Sequence, residues 1–361
     1  MRELCSLRPL SRWRERDRVR VAAARLPHRP PSPQPSPASG RGGLALAVAF
    51  LTLTSPALAF DLQGHRGARW LLPENTLEGF AATLAIGVTT LETDTAISKD
   101  GVVVISHDSR LNKDITRGSD GQWLTETGPA IIDLTWEELK RYDVGRINPA
   151  ARYAQTYAEQ KPVDGARLPR LSDLFDLVKR SGNTHVRFNI EIKTSPLKPA
   201  DTLAPDVHAD KVIEEIRKAG MATRSIVQSF DWRGLKRVHE VAPEITTACL
   251  TARQRWLDNV NDGQWNAGLK IADHGGSIPR LVKAMGCKLW TPYYRELDAA
   301  QLKEAKELGV GVVVWTVNSP DDMKAMIDLG VGGIITDRPD ALRKVAAEAN
   351  LPLPAPTPVK P

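Results

Sequence analysis

The chain has 361 residues, 49 Lys and Arg against 43 Asp and Glu, and a formal net charge of +6. Residues 1–59 carry ten of the arginines and only three acidic residues, so the remainder holds 39 basic and 40 acidic side chains. The basic balance therefore belongs to the leader and gives no argument for a nucleic-acid partner, and the two cysteines beyond it are too few for a disulfide scaffold.

Residues 1–42 are rich in arginine, lack lysine and include the proline-spaced run from Pro30 to Pro37, a composition that buries no core. An apolar run from Leu44 to Leu53 follows, then Ala57-Leu58-Ala59. Basic n-region, short apolar stretch and small-x-small site read as a secretory signal peptide cleaved near Ala59. The n-region is long for a signal and no methionine lies between Met1 and Met221. Translation is therefore expected to start at a non-Met codon before Gly42. The expected product is periplasmic or secreted, with no stable membrane insertion, because no later apolar run reaches spanning length.

From Phe60 onward short apolar runs alternate with amphipathic segments. A strand is expected at 61–66, then a helix opened by Pro73-Glu74-Asn75-Thr76 and running to Ile86, with Asn75 as its N-cap. A second strand at 88–96 turns through Lys99-Asp100-Gly101 into a ribbon at 102–106. Residues 112–170 break this rhythm with Gly, Pro, Thr and Arg, and read as an inserted segment with one helical piece at 136–142. Beyond it the pattern predicts helices at 172–181, 209–219, 231–240, 277–285, 298–308 and 320–329. Strands are predicted at 186–193, 225–230, 246–250, 287–291, 310–317 and 333–336, with a longer excursion at 251–276. Eight parallel strands, the ribbon excluded, within about 300 residues imply a single TIM (β/α)8 barrel over 60–350, with a disordered tail at 351–361. A doubly wound open sheet is the rival, but no G-x-G-x-x-G follows the first strand.

Polar residues cluster at the predicted C-terminal strand ends. Glu92 and Asp94, two apart on one strand, face the same way. Glu191 and Lys193 repeat that spacing, so three carboxylates converge from two strands, a hard oxygen set suited to Ca²⁺ or Mg²⁺. His65 and His107, beside a bound cation, are the parts for metal-assisted phosphoryl chemistry, one taking a proton and the other giving one. Arg66 and Lys193 would hold a phosphate, as planar fork and point charge. Trp290, Tyr293 and Trp315 could wall an apolar pocket, while Gln228 and Asp337 could brace neighbouring strand ends. Cys249 and Cys287, placed near opposite ends of adjacent strands, are expected to stay unpaired.

His65-Arg66-Gly67, Pro73-Glu74-Asn75-Thr76, Glu92-x-Asp94, His107-Asp108, Glu191-Ile192-Lys193 and Trp315-Thr316-Val317-Asn318 together resemble the glycerophosphodiester phosphodiesterase family, bacterial and exported. That resemblance covers nearly all of 60–345. It implies a TIM barrel with an insertion, and hydrolysis of glycerophosphodiesters to an alcohol and sn-glycerol 3-phosphate. It also implies Glu92, Asp94 and Glu191 as metal ligands, His65 as proton acceptor, His107 as proton donor, and Arg66 as a phosphate contact. The substrate would be a small-molecule diester, with head group and oligomeric state left open. Surroundings should separate the two imidazoles: the cation and Arg66 lower the pKa of His65, and Asp108 raises that of His107. The competing readings are a phospholipase-D-like enzyme forming a cyclic phosphate, a Schiff-base aldolase using Lys193, and a binding protein on an enzyme scaffold.

Overall fold

The computed structural model describes residues 60–261 and 263–361. The leader, signal peptide and translation start read from the sequence lie outside the described residues.

Eight parallel strands form the centre: β1 Asp61–Gly64, β2 Thr90–Ile97, β3 Arg187–Ile192, β4 Ser225–Ser229, β5 Thr246–Thr251, β6 Leu289–Pro292, β7 Gly311–Val314 and β8 Gly333–Thr336. Each pairs with the next. β1 pairs with β8 from Asp61 opposite Gly333 to Gly64 opposite Thr336, and with β2 at Gln63 opposite Thr90. The sheet closes on itself, which is the TIM barrel the pattern predicts. Nearly every strand residue is buried, because both faces are covered.

Eight helices alternate with the strands: α1 Leu77–Ile86, α2 Leu171–Arg180, α3 Pro205–Lys218, α4 Trp232–Val241, α5 Ile278–Met285, α6 Ala299–Glu307, α7 Pro320–Leu329 and α8 Pro339–Glu348. The last is absent from the sequence reading, which ended at β8. Their limits follow from local chemistry. Asp231, Ser277, Asp298 and Ser319 accept backbone N–H bonds at four N-termini, and left-handed Gly286 and Gly330 end two of the C-termini. α2 buries Leu171, Leu174, Phe175 and Val178, an i, i+3, i+4, i+7 stripe, with Leu177 beside it. Each fully buried leucine there contributes roughly 1.5–3 kcal/mol.

Three expectations need correcting. The N-cap of α1 is Thr76, whose Oγ1 accepts from Gly79 N at 3.1 Å; Asn75 turns inward instead. Cys249 and Cys287 form a disulfide, their Cα atoms 5.9 Å apart. Strand register pairs Cys249 with Trp290, three residues past Cys287. Left-handed Gly286 ends α5, Lys288 N donates to Thr247 O, and Cys287 between them lies beside Cys249. The tail at 351–361, expected to be disordered, has no helix or strand but lies along the barrel. Thr357 N donates to Leu84 O, Asn183 Nδ2 to Thr357 Oγ1, and Leu351, Leu353 and Val359 pack on the core. Its prolines remove backbone donors, so it attaches by a few bonds and apolar side chains.

The ribbon strand Val103–Ile105 runs antiparallel to β2 and leads into the 112–170 insertion. The insertion has its own small core of Leu111, Ile131, Leu139, Val144 and Leu168 packed on Ala96 and Val104. Two short helices, Trp136–Leu139 and Arg152–Thr156, lie within it.

Candidate active site

Strand register builds the site. In the β2–β3 pair, Asp94 stands opposite Glu191, and in the β3–β4 pair Glu191 stands opposite Gln228. Glu92, two residues below Asp94, points into the same mouth. Ligand atoms of Glu92, Asp94 and Glu191 lie within 4.8 Å of one another, and all three residues are buried. A chain of amides supports them from inside the barrel: Asn189 Nδ2 donates to Gln63 Oε1 and Gln228 Oε1, and Gln228 Nε2 donates to Glu92 Oε1 at 2.9 Å.

Three carboxylates this close repel one another. Burial, with Asp94 and Glu191 nearby, pushes Glu92 well above the carboxylate range. Burial also pushes Glu191 up to about 7, although Lys193 Nζ donates to its Oε1 at 2.9 Å. Burial opposes ionisation of Asp94 as well, but Lys193 and Arg66 hold it well below the usual range. Asp94 Oδ1 is buried without a hydrogen bond; Lys193 Nζ lies 3.6 Å away. A buried all-oxygen set with an orphaned acceptor fits a hard divalent cation, which would relieve the repulsion.

The turn after β1 supplies the cationic side. Arg66 has φ 50° and Gly67 φ 83°. A Cβ on Gly67 would meet the carbonyl carbon of Gly79 at 3.0 Å, so only glycine lets the turn lie on the first turn of α1. This geometry lets Arg66 N donate to Glu92 Oε2 at 2.9 Å while its guanidinium reaches Glu74 Oε1 at 2.7 Å. Arg66 Nε has no hydrogen bond and lies 3.4 Å from Asp94 Oδ2. Asn75, also at positive φ, donates to Asp94 Oδ2 and accepts from Thr93 Oγ1.

The two histidines line the same cavity, of about 600 Å³. His65 Nδ1 lies 2.6 Å from Asp337 Oδ1 and its Nε2 lies 3.9 Å from Glu92 Oε2. Arg69 and His65 keep Asp337 ionised despite its burial, so Nδ1 carries the proton and Nε2 presents its lone pair to the mouth. Burial lowers the pKa of His65 to about 4 against the pull of Asp337, with Arg69 and Arg66 adding to the drop. His107 Nδ1 lies 2.8 Å from Asp108 Oδ1, and Asn112 Nδ2 donates to Asp108 Oδ2. The expected rise in its pKa is not found: burial, then Arg66 and Lys193, lower it more than Asp94 and Asp108 raise it.

The eight side chains given catalytic, metal-binding or substrate-binding roles from the sequence, namely His65, Arg66, Glu92, Asp94, His107, Glu191, Lys193 and Trp315, lie at one end of the barrel. Trp315 lines the cavity with its Nε1 donating to Thr291 O. Trp290 instead belongs to the core. Sequence reasoning missed Arg69, Glu74 and Tyr153. Arg69 grips both oxygens of Asp337 at 2.8 Å, and Asn318 Nδ2 donates to the same carboxylate at 2.7 Å. Tyr153, from the insertion, donates to Glu74 Oε2. The motif spacing around His65 and Pro73 held a signal for Arg69 and Glu74; nothing local marks Tyr153.

The model of the Glycerophosphoryl diester phosphodiesterase family matches residues 65–341. A glycerophosphodiester phosphodiesterase of Caldanaerobacter subterraneus subsp. tengcongensis is 28% identical over 279 residues, 77% of this chain and 94% of that protein. A solved structure from Silicibacter pomeroyi DSS-3, assigned as a glycerophosphoryl diester phosphodiesterase, is 33% identical with a TM-score of 0.72, covering 82% of this chain and 95% of its own. An Oleispira antarctica phosphodiesterase, solved with its product sn-glycerol-3-phosphate, shares the fold at TM-score 0.58 and 18% identity over 79% of this chain and 96% of its own.

Proposed function

This chain belongs to the glycerophosphoryl diester phosphodiesterase family, and from that premise we propose that it hydrolyses glycerophosphodiesters to an alcohol and sn-glycerol 3-phosphate by two-histidine acid–base catalysis with Ca²⁺ or Mg²⁺. The observation that carries this reading is the carboxylate cluster beside His65, with both histidines on one cavity. Glu92, Asp94 and Glu191 would hold the cation, which when bound supplies positive charge to a phosphate oxygen and to the attacking oxygen. Arg66 and Lys193 orient and neutralise the phosphate from the same side. His65, kept neutral by burial and held in its Nδ1-protonated tautomer by Asp337, takes the proton of the nucleophile at Nε2. His107 gives a proton to the departing alcohol; the negative charge of the arriving phosphodiester monoanion favours its charged form, offsetting Arg66 and Lys193.

The test is an assay of the protein lacking residues 1–59 against glycerophosphocholine, glycerophosphoethanolamine and glycerophosphoglycerol, with and without chelator. Chelation should stop release of glycerol 3-phosphate, and Ca²⁺ or Mg²⁺ should restore it. Full turnover by demonstrably metal-free protein would refute the role given to the three carboxylates. A cyclic phosphate as final product would favour the phospholipase-D-like alternative.

Export to a periplasm or the medium is part of the same proposal. The leader pattern supports it, and a Cys249–Cys287 disulfide is suited to an oxidising compartment. Cell fractionation and N-terminal sequencing of the mature protein check it; a cytoplasmic, uncleaved product would overturn it.

A further inference from the structure

The inside of a TIM barrel is ordinarily filled by branched apolar side chains. In this barrel Gln63 on β1, Asn189 on β3 and Gln228 on β4 take such places, each at most 2% exposed. Gln63 and Asn189 lie below the active-site cavity and are not part of its lining. Buried amides are costly unless every polar atom is paired. One is not: Asn189 Oδ1 has no partner. For stability alone, branched apolar side chains would fill this space better.

The direction of the hydrogen bonds shows what the amides do. At the N-terminal end of the strands, Asp61 Oδ2 accepts from Gln63 Nε2 at 2.9 Å. Arg187 at 2.7 Å and Thr90 Oγ1 at 2.6 Å hold the same carboxylate in place. At the mouth, Glu92 Oε1 accepts from Gln228 Nε2 at 2.9 Å. A carboxylate only accepts, so both ends of this row demand donors. Gln63 must give its NH2 to Asp61 and leave its Oε1 for Asn189; Gln228 must give its NH2 to Glu92 and do likewise. The residue between them then has to donate twice. Asn189 Nδ2 does so, at 2.8 Å to Gln63 Oε1 and 2.9 Å to Gln228 Oε1. Its own oxygen is left over for that reason.

Resting on the cation site proposed above, we infer that this row positions the metal ligand Glu92 from the opposite end of the barrel. Asp61 anchors Gln63, Gln63 and Asn189 fix which way Gln228 faces, and Gln228 sets the Glu92 carboxylate before any cation arrives. Arg66 N holds the other oxygen, Oε2, at 2.9 Å, so the carboxylate plane is fixed from both sides. Each oxygen keeps acceptor capacity beyond that one bond. A ligand already held in place loses less freedom on binding. Gln63, Asn189 and Gln228 are therefore positioning residues.

Calorimetric titration of the metal-free protein with Ca²⁺ and with Mg²⁺ tests this, because it reads the cation directly and needs no substrate. Gln228→Leu should weaken binding about 10–100-fold, the range for losing a partner that orients a metal ligand. Asn189→Leu, whose side chain makes no hydrogen bond to Glu92 in the native protein, should weaken it about tenfold. Combining the two should weaken it no further than Gln228→Leu alone, because they act through one contact. At saturating cation both variants should recover most of the native kcat, which a distorted mouth would not do at any concentration. Thermal unfolding checks the fold; if Gln228→Leu does not fold, Asn189→Leu and Gln63→Leu carry the same test. Unchanged cation binding in these variants, or losses that simply add, would overturn the row while leaving the cation site intact. A native protein that binds neither cation would overturn the cation site, and the row with it.

Discussion

His65 and His107 each meet a carboxylate through Nδ1, at 2.6 Å and 2.8 Å, yet the first pair spans 272 residues and the second spans one. Asp337 is fully buried and also holds Arg69, Asn318 and Tyr157. Asp108 has a side chain 42% exposed, with His107 and Asn112 as its partners. The same acid–imidazole contact is therefore made once by closing the barrel and once by neighbouring residues. The rigid pair should matter for orientation and the local pair for solvent-facing proton delivery, and the two can be told apart.

The largest effect is expected from the imidazoles themselves. His65→Ala should lower kcat by about 10³-fold on both a choline diester and an activated aryl phosphodiester, because deprotonating the nucleophile is independent of the leaving group. His107→Ala should lose a similar factor on the choline diester but retain most activity on the aryl one, whose weakly basic aryloxide leaves unprotonated. Steady-state rates on the two substrates check this, and leaving-group rescue in His65→Ala instead would reverse the roles.

Next come their carboxylate partners. Asp337→Asn should cost on the order of 10²-fold in kcat, because an amide no longer fixes the His65 tautomer or pairs with Arg69. Asp108→Asn should cost only severalfold. Equal losses would show that burial and chain closure do not distinguish the pairs. Circular dichroism separates lost orientation from lost fold.

A smaller effect should follow from Tyr153→Phe, which frees one oxygen of Glu74 and loosens Arg66 without touching the cluster. It should raise KM severalfold with little change in kcat. An unchanged KM would mean that the insertion braces nothing in the mouth.

The smallest effect is on stability, and it needs a histidine away from the chemistry. His208 is fully buried, with Nε2 3.1 Å from Thr95 Oγ1 and Nδ1 without a partner, and burial lowers its pKa to about 3. Its folded pKa is below the unfolded value of about 6.5, so the unfolded chain binds the extra proton first. Stability should be undiminished by this group above pH 6.5 and fall as pH drops from there toward 3. Denaturant midpoints between pH 4 and 7 should fall less in His208→Gln than in the native chain; parallel curves would contradict the assignment.

Much of this molecule was legible in one dimension. Alternation of apolar runs marks the strands and helices, because backbone period and burial impose it locally. Glu92-x-Asp94 and Glu191-x-Lys193 place their side chains on one face by strand geometry alone, and His107-Asp108 brings its own carboxylate. What only the tertiary structure decided lies where distant segments meet. Asp337 reaches His65 because β8 closes on β1; Cys287 reaches Cys249 because the segment leading into β6 lies beside β5; Tyr153 reaches Glu74 because the insertion packs over the mouth. The sign of the His107 shift also belonged to the fold. A neighbouring aspartate can be read from sequence, whereas desolvation, the larger effect there, depends on everything packed around the ring.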